Sequence, residues 1–301
     1  MEQPTRQAID TTRWSGRVAV VTDSVATVPA AVARELGIVV VPFWVHIDAE
    51  DFRDGIDLQP AELYRRMREE HAIPKTSQPT VAEYCDAFRL PLQSGPIGVV
   101  YVGLSSERSG ANNGARAAAA ELAREFPDPS IVVVDSRIAA ISEGFLAIAG
   151  ARSAAAGSAL DEVVRVVEAA RRRVGLIAAL DTLEYLQRGG RIGPAPPLLG
   201  GILSVKPIIT IDEAGTIGPV ARVRTMRAAL EYMVDRVGEA VAGAREVHIG
   251  VVQSDAYAEA ERLQERVIEA LHPTEVFITD FTIVMGAHTG PGVIGLGYYF
   301  A

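Results

Sequence analysis

The chain has 301 residues, 49% of them hydrophobic, a formal net charge of −9 and a single cysteine. That length suits two domains with ordinary cores, and the apolar fraction argues against a disordered chain. The acidic balance argues against a concentrated basic face for nucleic acid or anionic membrane, and the lone Cys85 excludes an intrachain disulfide and a cysteine-rich metal site.

Residues 1–16 read as a polar N-terminal extension without an apolar signal region. No later apolar run reaches membrane-spanning length, so a cytoplasmic protein with no stable membrane insertion is expected. Arg17–Val21 reads as a strand ending in the polar Thr22, Asp23 and Ser24. Thr27 as N-cap, Pro29 and Gly37 bracket a short helix, and a second strand follows over Ile38–Ile47. Phe52–Asp57 reads as a turn, Pro60–Glu70 as a helix with a charged outer face, and Ser77 as the cap of a helix beginning at Pro79. Cys85 shares a helical period with Val81, Tyr84 and Phe88, which makes it core filler.

The buried strand Val99–Val102 stops at a knot of hydroxyls, LSSERSG, ahead of a helix predicted over Ala115–Phe126. Ser105, Ser106 and Ser109 thus stand between a strand end and a helix start. Open α/β sheets take ligands there, and free N–H groups suit a small anion such as a carboxylate or phosphate. One serine in that place is a helix cap; three within five residues beside a glycine point to a ligand. The first domain, 17–157, closes with the strand Ile131–Val134, Asp135-Ser136 and a helix around Ile141–Ala156. Strands alternating with helices predict a Rossmann-like, mainly parallel sheet.

The second domain, 158–301, opens on an amphipathic helix over Asp161–Arg173. A strand at Leu176–Leu180 and a short helix at Leu183–Gln187, capped by Thr182, come next. A hairpin of Ile208–Ile211 with Ile217–Val223, helices at Thr225–Ala242 and Ala256–Leu271, and strands at Val247–Val252 and Glu275–Phe281 predict a mixed-sheet α/β domain. The glycine-rich loop Met285–Gly292 leads into a last apolar strand, and His288 in it has the small and polar neighbours of a ligand-facing ring. His46, His71, His248 and His272 lack that setting and read as incidental. Asp23 and Asp135 read as loop-orienting or capping groups. Gly292–Gly297, GVIGLG, has the wrong spacing for a dinucleotide fingerprint.

Hydroxyls or histidine mark three loops, at Thr76-Ser77, Ser105-Ser106 and His288-Thr289. Taken with VTDS at 21–24, TSQPT at 76–80, LSSERSG at 104–110, VDS at 134–136, LEYLQRGGRI at 183–192, KPII at 206–209 and HTGPG at 288–292, they give the chain its family likeness. It resembles the DegV family of bacterial fatty-acid-binding proteins, the acyl-carrying (FakB-type) subunits of fatty-acid kinase. The resemblance covers nearly the whole chain beyond residue 16. It implies two α/β domains that hold one long-chain fatty acid between them, with no cofactor and no metal. The carboxylate-binding set implied is Thr76, Ser77, Ser105 or Ser106, His288 and Thr289. It also implies a non-catalytic subunit of phospholipid synthesis whose partner, the kinase catalytic subunit, phosphorylates the carboxylate. Arg188 and Arg191 flank a glycine pair that leaves little bulk around them, so a guanidinium is expected in solvent for partner docking. The chain departs from the family where its usual SGT-aromatic stretch is Ser109-Gly110-Ala111-Asn112, and where Met285-Gly286-Ala287 replaces a more glycine-rich approach to the histidine.

Two other readings compete. A serine hydrolase would use Ser105 or Ser106 with His288 and Asp135 or Asp23, though GLSSE lacks the second glycine of a nucleophile elbow. A phosphate binder would use the helix starts, with Arg108 the cation inside LSSERSG.

Overall fold

The computed structural model describes residues 11–128, 130–192 and 205–301. Residues 1–10 of the expected extension and Gly193 of the QRGGRIG turn lie outside the described residues. The chain begins with β1 (Val18–Asp23), α1 (Ala30–Leu36) and β2 (Val39–Val41). Thr27 does not cap α1: it ends a 3-10 turn over Ser24–Ala26 with φ 46°, and Pro29 precedes the helix. The apolar run expected as one strand over Ile38–Ile47 is two, broken at Pro42-Phe43, and β3 (Trp44–Ile47) leaves the first sheet to pair with β4 (Glu50–Arg53). Pro42 has no N–H to donate, so the ladder stops there.

Next come α2 (Pro60–Glu69), β5 (Lys75–Ser77) and α3 (Val81–Leu92). Ser77 lies inside β5, and Thr80 is the cap of α3, in a reciprocal capping box with Glu83. Then follow β6 (Gly98–Gly103), α4 (Ala111–Leu122), β7 (Ile131–Asp135), α5 (Ala140–Ala155) and α6 (Leu160–Ala170). The remainder is β8 (Val174–Ala179), α7 (Glu184–Arg188), β9 (Lys206–Ile211), β10 (Ile217–Val223), α8 (Met226–Ala240), β11 (Val247–Ser254), α9 (Tyr257–Leu271), β12 (Glu275–Asp280), α10 (Ile283–Thr289) and β13 (Val293–Phe300). His288, expected in a loop, is in the last turn of α10.

Among the described residues the strands form three sheets. The first, ordered β2-β1-β6-β7, is parallel throughout, and its β1 and β6 are buried along their whole length, as valine-rich strands covered on both faces must be. The second, ordered β10-β9-β8-β13-β11-β12, is mixed: only β11 and β12 run parallel. The third, antiparallel β4-β3-β5, has no counterpart in the sequence reading.

Helix α5 joins the two larger sheets, packing on β1 and β6 and also on β8, β11 and β13. Its seat on the mixed sheet is made of glycine. Gly250 and Gly297 are cross-strand partners, and a Cβ on either would meet Ile141 of α5 at 2.6 or 2.3 Å. Helix α6 packs on α5, β6 and β7, so the expected seam at 157–158 falls between two helices of one layer, and the chain crosses to the mixed sheet after Ala170.

Candidate ligand-binding site

Between the two larger sheets and α10 lies a cavity of about 340 Å3, within the range of small-molecule sites. Its walls are mainly apolar: Val25, Phe43, Leu104 and Ala139 from the first half, Leu176, Leu180, Ile209, Ile211, Ile217 and Val293 from the second. Thr76, Gln78, Arg108, Ser109, Arg191 and His288 supply most of its polar groups.

The register of the small sheet places Thr76 opposite the fully buried Val45, and alternation along β5 turns Ser77 to the other face. Thr76 Oγ1 and His288 Nε2 are 2.8 Å apart. Helix α10, which carries the imidazole, is fixed at its start by Asp54, whose carboxylate accepts the Ile283 N–H at 2.9 Å and the Ser24 hydroxyl at 2.6 Å. Burial, and secondarily the charge of Arg191, lowers the His288 pKa to about 4, so its ring is neutral near pH 7. Its Nδ1 is buried without a hydrogen-bond partner among the described residues and packs against Gly189, where a Cβ would sit 2.4 Å from it. The glycine of the LEYLQRGGRI motif thus makes room for the histidine of HTGPG.

The other expected site residues are placed differently. Ser105 is fully buried and donates to the Gly215 carbonyl at 3.5 Å; Ser106 is exposed and donates to Asp135 at 2.5 Å. Neither lines the cavity, whereas Ser109, four residues past Ser105, does, with its hydroxyl accepting the Ala111 N–H at 3.2 Å. Ser77 contributes to the lining, yet its hydroxyl meets His46 Nε2 at 2.9 Å, and His46 Nδ1 meets Asp51 at 2.6 Å. This Asp–His–Ser ladder lies on the outer face of the small sheet, opposite Thr76. Thr289 lines the cavity but donates to the Met285 carbonyl of its own helix at 2.9 Å. With His288 Nε2 on Thr76 and the two candidate nucleophiles bonded to Gly215 and Asp135, the triad expected of a hydrolase is not assembled.

Arg188 is exposed and pairs with Glu184 at 2.5 Å. Arg191 is half-buried and lines the cavity: its guanidinium donates to the Gly189 carbonyl at 2.5 Å, and its own carbonyl accepts from Arg108 at 2.8 Å. An outer groove of about 360 Å3 meets the same place from the other side, lined by Lys75, Tyr185 and Arg188 and sharing Thr76, Arg191 and His288 with the cavity. Among the described residues no cluster of His, Cys, Asp and Glu could hold a metal, and no helix is long and apolar enough to cross a membrane.

A parallel and a mixed sheet sharing one helix, with an aliphatic cavity that ends at a Thr–His pair, define an α/β protein of the cavity-bearing kind. The chain belongs to the DegV family, described as uncharacterised proteins, whose model it matches over residues 17–301. It is similar to a DegV domain-containing protein of Streptomyces coelicolor, with 37% identity over 288 residues, covering 94% of this chain and 98% of that protein. Its structure is similar to a DegV family protein from Thermus thermophilus described by its fatty acid binding, with a TM-score of 0.87, 29% identity, and coverage of 95% of this chain and 100% of that one. It is also similar to a stearic-acid-binding protein from Eubacterium ventriosum, with a TM-score of 0.86, 26% identity, and coverage of 94% and 98%.

Proposed function

We propose that this chain holds one long-chain fatty acid, its tail among Leu176, Leu180, Ile209, Ile211 and Val293 and its carboxylate at Thr76, Ser109 and His288. The observation that carries the reading is the aliphatic cavity ending at the Thr76–His288 pair. The fatty acid binding of the Thermus protein and the stearic acid binding of the Eubacterium protein support it. Each buried methylene contributes about 0.8 kcal/mol, so a tail of about sixteen carbons supplies roughly 10 kcal/mol before ordering costs. A carboxylate buried without partners costs several kcal/mol, and each hydrogen bond to it returns about 1.5–3 kcal/mol. Tail burial therefore sets the affinity, and the polar end sets the orientation.

In the same reading the protein is a cytoplasmic carrier that presents the carboxylate to a kinase catalytic subunit for acyl-phosphate formation, and catalysis belongs to that partner. The outer groove supports this: it reaches the Thr76–His288 pair past Lys75, Arg188 and Arg191, cations suited to the phosphates a kinase brings. Native mass spectrometry of the purified protein followed by organic extraction tests the carrier reading. One fatty acid per chain is expected; ligand-free protein that takes up neither oleate nor palmitate in a displacement assay overturns it.

A further inference from the structure

Arg108 lies between the end of β6 and the start of α4, half-buried, and lines the aliphatic cavity. Its Nη1 donates to the Arg191 carbonyl at 2.8 Å. Its Nε is buried with no hydrogen-bond partner, and no carboxylate pairs with the guanidinium among the described residues. A cation lining an apolar cavity with an open donor and no acid is poorly compensated until a ligand's charge arrives.

Of the remaining polar groups of the cavity, only Arg191 also carries a positive charge. Thr76 and Ser109 are neutral hydroxyls, and His288 is a neutral imidazole near pH 7. Arg191 faces both the cavity and the outer groove and spends a donor on Gly189, whereas Arg108 borders the inner cavity and not the groove. Nε and Nη2 form one edge of a planar guanidinium, and that edge takes a carboxylate through two parallel hydrogen bonds. In Arg108 the bond to Arg191 uses Nη1 and leaves that edge unspent.

We infer that Arg108 is a specificity-determining residue, whose guanidinium makes the cavity select an ionised carboxylate over a neutral head group on the same acyl tail. The inference rests on the fatty-acid reading and adds a rule to it: alcohols, amides and esters of equal chain length are discriminated against.

Affinities for palmitate and hexadecanol, measured at pH 7.5 by displacement of a fluorescent acyl probe, test it in the parent, Arg108→Gln and Arg108→Lys. The parent should prefer palmitate at least tenfold; Arg108→Gln should lower the ratio at least tenfold, and Arg108→Lys, which keeps the charge and loses the fork, should retain part of it. If Arg108→Gln does not fold, Arg108→Met, which keeps an apolar stem and drops the charge, gives the same reading. A ratio unchanged in the neutral variant, or an equal loss of both ligands, overturns the inference and leaves Arg108 as a clasp on the Arg191 backbone. A parent that binds both ligands equally overturns it as well, while a parent that binds neither overturns the fatty-acid reading itself.

Discussion

Asp54 caps the helix that carries His288 from 229 residues away, its carboxylate, in a residue 2% exposed, accepting the Ile283 N–H at 2.9 Å. The first N–H groups of a helix have no partner within it, and this one is served by a side chain that also takes the Ser24 hydroxyl. Asp54→Ala leaves both donors buried and unpaired, and the expected loss is about 2–3 kcal/mol, read as a lower denaturation midpoint. A variant within about 0.5 kcal/mol of the parent would show the cap to be dispensable.

At the polar end of the cavity, Thr76→Val, Ser109→Ala and His288→Ala should each weaken palmitate binding by about tenfold, the scale of one lost hydrogen bond to a charged group. Ser106→Ala should leave binding unchanged, because its hydroxyl serves Asp135. Titration calorimetry separates the two cases, and a loss in Ser106→Ala equal to that in Ser109→Ala would return the carboxylate to Ser106.

Cavity and groove can be told apart through the two arginines of the glycine turn. Arg188 borders only the groove, so Arg188→Ala should lower acyl-phosphate formation with a kinase partner while fatty acid stays bound. Arg191 borders both spaces, so Arg191→Ala should lower retention and transfer together. Equal effects of the two substitutions on fatty-acid retention would contradict this assignment.

The pH dependence of stability has two opposing parts. His288 falls from 6.5 to about 4 on folding, so between those values the folded chain binds fewer protons than the unfolded one. Its contribution is whole above about pH 6.5 and is lost as the pH drops through 4. Asp23, raised from 3.8 to about 6 by burial despite bonds from Leu104, Tyr101 and Val25, has the opposite sign: its contribution is whole below about pH 3.8 and is lost as the pH rises through 6. In chemical denaturation at pH 4.5 and 7.5, the stability lost in His288→Gln should be greater at 7.5, and that lost in Asp23→Asn greater at 4.5. A reversed order for either residue refutes its assignment.

The alternation of strands and helices was legible because valine runs such as those of β1 and β6 have one reading, burial on both faces. The small sheet was not, since a single apolar stretch over Ile38–Ile47 hides a change of partner that only Pro42 marks. Helix α10 was hidden for a related reason: seven residues with a glycine at their centre are too short to show a helical period, and the cap that starts it comes from Asp54. Their motifs drew attention to Thr76 and His288, which the fold brings together on the cavity wall. Which of Ser105, Ser106 and Ser109 lines the cavity was not legible, because they are chemically alike and are sorted only by distant partners, Gly215 and Asp135 taking the first two. Which of the two arginines turns outward was not legible either: Arg188 is exposed, whereas the half-buried Arg191 borders both the cavity and the groove.

Ile141 rests on the glycine pair of β11 and β13, so the helix that covers the parallel sheet is also part of the mixed sheet's core. Melting either half alone would strip that helix of one of its two supports, so a single calorimetric transition is expected in place of two. Ligand traffic inherits the constraint. With the halves bound by a shared core, a ligand of the kind proposed is expected to enter and leave by movement of the cavity's rim rather than by parting of the sheets.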